Sequence, residues 1–99
     1  MSEYCSNRPL EALQRDVVAL KRLGGEAFLY GSSVTAFRPG HDIDLLFVLA
    51  ERYHELVYQE VGVVQRGCPF LLHPTLVTPE EFATNPRIRE LTNRAIQLW

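Results

Sequence analysis

The stretch from Asp42 to Leu49, Asp-Ile-Asp-Leu-Leu-Phe-Val-Leu, limits this chain more than any other. It opens with two alternate aspartates and continues as an unbroken apolar run. A short run of this kind reads as a central, buried strand. Residues i and i+2 of a strand point to one face, so Asp42 and Asp44 set two carboxylates side by side at its mouth. Such carboxylates repel each other and cost stability unless a cation lies between them. Packing alone gives no reason for the arrangement, and the pair reads as a divalent-metal site. The plainer alternative is that both aspartates merely cap a turn and solvate the strand end.

The segment before it has a matching character. Glu26 to Tyr30 is a short, mostly apolar run that suits another buried strand, and Gly31-Ser32-Ser33 follows it. Glycine at position 31 removes a side chain that would otherwise block a ligand from the backbone. Ser32 to Phe37 can make a short helical turn, whose free N–H groups favour anions and phosphate above all. A Gly-Ser pair by itself is most often an ordinary turn, and its weight here comes from the aspartates that follow. Arg38-Pro39-Gly40 is a turn by composition.

The remaining chain supplies packing elements. Residues 9 to 23 are expected to form a helix, with Pro9 at its first position, Leu10, Leu13, Val17 and Leu20 on one stripe, and Gly24-Gly25 as the stop. A second helix begins near Glu51, with Tyr53, Leu56, Val57, Glu60, Val61 and Val64 at helical steps and Gly67 ending it. Gly62 and the Val61–Val64 run leave part of it open to a strand reading. Cys68 to Val77 is expected as a third strand, with Pro74 at an edge or bulge. Thr78-Pro79-Glu80-Glu81 is a helix start with a capping box, and its acids read as caps rather than catalysts. Asn85-Pro86 restarts the helix, with Ile88, Leu91, Ala95 and Leu98 as its core stripe and Trp99 packed on the body or on a partner.

Length and charge exclude several classes. Ninety-nine residues allow one small domain spanning 1–99, and 46% hydrophobic with 22% charged residues is an ordinary globular composition. A net charge of −2, with Lys21 as the only lysine, gives no electrostatic reason for bulk nucleic-acid binding. Cys5 and Cys68 lack metal-ligand spacing and read as reduced thiols of a cytoplasmic protein. No signal peptide is visible, and no apolar run approaches the roughly 20 residues that span a bilayer, so no membrane association is expected.

With the Gly31-Ser32 turn and the Asp42-Ile43-Asp44 strand both in view, the chain resembles the nucleotidyltransferase superfamily, the DNA polymerase beta-like enzymes, and most of all its minimal stand-alone members. Gly31, Ser32, Arg38, Pro39, Asp42, Asp44 and Leu45 match the signature of apolar strand, Gly-Ser, turn and Asp-x-Asp. The Thr78–Phe82 helix start and the Leu91–Trp99 ending also look similar. The resemblance implies an α+β fold, a small mixed β-sheet with helices packed on one side. It implies a nucleoside triphosphate, with ATP as the default, whose phosphates lie over Gly31, Ser32 and Ser33. Mg2+ would sit on Asp42 and Asp44. The reaction implied is transfer of a nucleoside monophosphate to an acceptor hydroxyl of a protein or small molecule, with release of pyrophosphate. So shallow a cleft would be completed by a homodimer or a partner subunit.

The departures carry equal weight. Relatives usually bear a third carboxylate on the strand that here runs from Cys68 to Val77, yet no Asp or Glu occurs from Gly67 to Pro79. Alternation turns Leu71, His73 and Thr75 toward the site, and Thr75-Leu76-Val77 stands where many relatives read Asp-Leu-Val. His73 offers a base or a metal ligand, although histidine suits magnesium poorly; a surface histidine is the other reading. The turn lacks arginine at 33 and 35, and His41 replaces the usual serine before the first aspartate. Against the active enzyme stands a catalytically impaired binding module. Small relatives often pair with a helical protein in toxin–antitoxin modules, so an antitoxin-like role is its natural form.

Overall fold

The structure, a computed structural model, describes residues 9–31, 42–68 and 70–99. Helix α1 (Pro9–Val17) tightens into a 3-10 segment over Val18–Leu23 and leads into strand β1 (Glu26–Tyr30). Strand β2 (Asp42–Val48) is followed by a 3-10 turn at Glu51–Tyr53, helix α2 (His54–Arg66) and strand β3 (Leu71–Val77). Short helices α3 (Pro79–Thr84) and α4 (Pro86–Leu91) precede a two-residue strand β4 (Ile96–Gln97). The sheet is mixed, in the order β3-β2-β1-β4, with β1 antiparallel to β2 and to β4, and β2 parallel to β3. This is the small α+β fold expected, with β2 in the interior.

Burial follows strand alternation. Ile43, Leu45, Phe47 and Leu49 join Ala27, Leu29 and Leu72 in a core closed by Leu13, Val17 and Leu20 from the first helical segment and by Val57 and Val61 from α2. Leu45 is wholly buried, and each fully buried leucine of this kind contributes about 1.5–3 kcal/mol. A Cβ at Gly62 would meet nothing within 4 Å, so that residue lies on the outer side of α2 and the segment remains helical throughout. The two longer helices thus share one face. Helices were expected on one side of the sheet, but they cover both: on the opposite face Phe28, Leu46, Val48 and Val77 form a smaller core with Phe82 of α3 and Ile88 of α4. Phe28 and Phe82 stack there with ring centroids 5.9 Å apart.

The end of the chain departs from the helix expected there. Helix α4 stops at Leu91, which is exposed, and Ile96–Gln97 pairs with Phe28 and Leu29 of β1. Ala27 donates to the Trp99 carbonyl and Leu98 donates to the Ala27 carbonyl at 2.7 Å, so this segment satisfies the outer edge of β1. The spacing of Ile88, Leu91, Ala95 and Leu98 is helical, but a bare strand edge holds a stronger claim on the backbone. Trp99 packs on the body, its ring 6.2 Å from that of Phe47.

The other edge of the sheet is closed by a side chain. Gln65 donates to the Phe70 carbonyl at 2.7 Å and accepts from the Leu72 N–H at 2.7 Å, standing in for a neighbouring strand. Successive N–H groups of a strand alternate between its edges, so Pro74 turns its donorless nitrogen to the same side as Leu72. An edge thus blunted resists pairing with another chain. Replacing both devices, as Gln65→Ala with Pro74→Val, is expected to produce concentration-dependent self-association in sedimentation velocity. Sedimentation unchanged from wild type would show that the edge is guarded by something else.

The capping box at α3 forms as expected: Thr78 Oγ1 accepts from the Glu81 N–H at 3.1 Å and Glu81 Oε1 accepts from the Thr78 N–H at 3.0 Å. The backbone bond from Thr78, then the bond to its side chain, hold the Glu81 carboxyl below its ordinary 4.5. A carboxyl lowered by folding adds stability that is present above its unfolded pKa and lost as pH falls through the folded one. The stability difference between wild type and Glu81→Ala is therefore expected to be largest above pH 4.5 and to shrink as acid is added below it. Urea unfolding across that range measures it, and a difference that is flat with pH contradicts the assignment.

Candidate functional site

The sheet face that carries the small apolar core is only half covered. Its residues run in cross-strand rows set by register: Val48 beside Val77, then Phe28, Leu46 and Thr75, then Tyr30, Asp44 and His73, then Asp42 beside Leu71. The rows change from buried hydrocarbon to polar groups along the length of β2, whose burial falls from Val48 back to Asp42. Helices α3 and α4 cover the apolar end. The polar end stays open, with Asp42, His73 and Leu71 each about half exposed.

Each side chain is placed by its strand. Asp42 and Asp44 stand two residues apart on β2 and share this face with Leu46. Tyr30 pairs with Asp44 across β1, and His73 pairs with Asp44 across β3. The His73 imidazole leans one row over, its Nε2 lying 3.1 Å from Asp42 Oδ2. The Tyr30 hydroxyl reaches across β2 to Thr75 Oγ1 at 3.2 Å. Asp42, Asp44, His73 and Thr75 therefore lie on one continuous patch. Tyr30 joins them unforeseen, although its alternation with Phe28, ending against Gly31, was the signal that could have found it.

Gly31 has a specific use here. Its φ of +79° lies in the left-handed region, and a Cβ added to it would stand 2.6 Å from Asp44 Oδ2. The bare Cα is what allows the Asp44 carboxylate to lie over the end of β1. Ser32, Ser33, Arg38, Pro39 and His41 fall outside the described residues, so the phosphate turn is represented by Gly31 alone.

Magnesium takes oxygen ligands and is usually held by one or two carboxylates together with substrate phosphates and water. Asp42 and Asp44 supply two carboxylates on one face, and the space above Gly31 admits the second of them, so the residues fit an ion shared with a phosphate. They do not make an all-protein cage. Among the described residues no group of three or more His, Cys, Asp or Glu side chains is gathered to hold a metal. The row position that could have carried a third carboxylate is Thr75, engaged with Tyr30.

The close approach of Asp44 to Gly31 makes a measurable coupling. Gly31→Ala is expected to cost about 1–2 kcal/mol from the left-handed backbone alone, with a further cost for displacing the carboxylate. In an Asp44→Ala background the second part disappears, so the same substitution costs less there. Urea unfolding of the four proteins gives the difference; equal costs in both backgrounds would mean that Asp44 does not rest against Gly31.

No family model matches this chain, and no curated protein is significantly similar to it.

Proposed function

We propose that the chain is a nucleotidyltransferase-type domain that binds a nucleoside triphosphate, ATP by preference, with Mg2+ on Asp42 and Asp44, and transfers the nucleoside monophosphate to an acceptor hydroxyl. The observation that carries this reading is the carboxylate pair on the open face of a buried strand, set directly against a glycine that ends the neighbouring strand. Two carboxylates at that place are costly without a cation. Bound there, the ion would neutralise charge on the triphosphate and on the oxygens exchanged in transfer. The protein's part is to hold the carboxylates in register, give Asp44 room over the bare Cα of Gly31, and offer the Tyr30–Thr75 hydroxyl pair beside it. The reading places the protein in the cytoplasm; among the described residues no helix is long and apolar enough to cross a membrane.

A second reading has its own observation. Strand β3 brings no carboxylate to the patch, and Asp42 is already engaged by His73. A domain that had lost efficient catalysis and worked by gripping a helical protein partner, as an antitoxin would, is compatible with both facts. Loss of positioning or of a general base lowers rates by orders of magnitude, while leaving binding possible.

Thermal melts with each nucleoside triphosphate, with and without Mg2+, separate the two. A ligand at about 100 times its dissociation constant adds roughly 2.7 kcal/mol, and each kcal/mol raises the midpoint of a domain this size by about 4–8 °C. A magnesium-dependent rise with ATP that vanishes in the Asp42→Asn/Asp44→Asn variant is the expected result. No rise with any triphosphate removes the nucleotide site and leaves the partner-binding module.

A further inference from the structure

The position of His73 points beyond magnesium. We infer that Asp42 and His73 together hold the divalent cation, through Oδ2 and Nε2, and that the site therefore prefers a first-row transition cation such as Mn2+ over Mg2+. This inference rests on the nucleotide-binding reading above and specifies the ion of that site.

The geometry is the first support. Metal–donor bonds to nitrogen and carboxylate oxygen are about 2.0–2.2 Å, so two neighbouring ligands of a six-coordinate ion stand roughly 3.0 Å apart. Nε2 and Oδ2 are 3.1 Å apart, both on side chains about half exposed at the open end of the sheet. An ion can take both donors with little movement of either. The second support is backbone placement. His73 precedes Pro74, which restricts it to extended conformations, and the β2–β3 register sets it opposite Asp44. The imidazole thus starts from a fixed point facing both carboxylates.

Elimination on β3 is the third support. Of the side chains that this strand turns to the patch, Leu71 has no donor and the Thr75 hydroxyl is paired with Tyr30. His73 is the one that can take the place of a third carboxylate. The chemical consequence follows from ligand type: carboxylate and water suit Mg2+ and Mn2+ alike, whereas an imidazole in place of a carboxylate penalises Mg2+ more than Mn2+, itself the weakest binder of the first-row ions. Since no group of three such side chains is gathered among the described residues, Asp44 would join by turning toward the ion, triphosphate oxygens and water would fill the remaining positions, and the ion would be held firmly only as its nucleotide complex.

The test uses the full chain with Mn2+ or Mg2+, each with ATP, and compares wild type with His73→Asp and His73→Gln. In wild type the thermal midpoint is expected to rise further with Mn2+ and ATP than with Mg2+ and ATP, and either ion alone should shift it little. His73→Asp restores a carboxylate and should shift the preference at least tenfold toward Mg2+; His73→Gln should weaken the Mn2+ complex without that gain. Pulsed electron paramagnetic resonance of the Mn2+ complex, on protein carrying 15N-labelled histidine, should show a 15N coupling that both variants lose. Nucleotide binding with the same ion preference in all three proteins and no histidine coupling overturns the inference while leaving the nucleotide site intact. Absence of any nucleotide shift in wild type overturns both.

Discussion

Everything else in this protein depends on the register of β2. The strand lies between β1 and β3, and Ile43, Leu45 and Phe47 enter the core beneath the long helices while Leu46 and Val48 enter the smaller core above. A slip by one residue would exchange the two faces and drive Asp42 and Asp44 into a hydrocarbon layer. Burying even one unpaired carboxylate there is prohibitive beside the marginal stability of a domain. The apolar end of β2 therefore pins the polar end, and the energy that folds the sheet also aims the carboxylates outward. Core and candidate site are two ends of one strand.

The elements that the sequence made legible are those with local causes. The two-faced apolar run at Leu45–Leu49, the stripe of Leu13, Val17 and Leu20, and the Thr78–Glu81 box each state their structure within a few residues. Pro74, expected at an edge or a bulge, lies on the edge strand β3. What stayed hidden depends on partners distant in the chain. The pairing of Ile96–Gln97 with β1 answers an unfilled edge some seventy residues earlier in the chain, and the helical spacing of the nearby apolar residues pointed the other way. The part played by Gln65 was equally invisible, because nothing in a glutamine near a helix end announces that Phe70 and Leu72 will need it.

The candidate site shows the same division. The i, i+2 relation of Asp42 and Asp44 needs only strand geometry. Alternation alone turned Leu71, His73 and Thr75 to the site, and the parallel register then assigns them to Asp42, Asp44 and Leu46. Which groups actually meet was not available from spacing: His73 leans to Asp42 rather than to its row partner, and Tyr30 crosses β2 to reach Thr75. These are diagonal contacts, set by side-chain length and by the twist of the sheet.

The character of the open end bears on whether it is a working site or a relic. A sheet face released from binding a ligand gains stability by extending its apolar cover, as α3 and α4 already do over Leu46 and Val48. Here the row beyond that cover holds a tyrosine hydroxyl, a carboxylate and an imidazole, with a second carboxylate in the last row. Keeping these groups hydrated leaves the end of the sheet unburied, and the carboxylate pair adds repulsion to that cost. Leu71, half exposed among them, is the one member that suits a closed face. Three polar partners around two aspartates, with a glycine cleared beneath one of them, fit a surface still arranged to receive a charged ligand. On the proposed reading, the lack of a carboxylate on β3 would be a change in what the site holds, with His73 as the group through which that change would act.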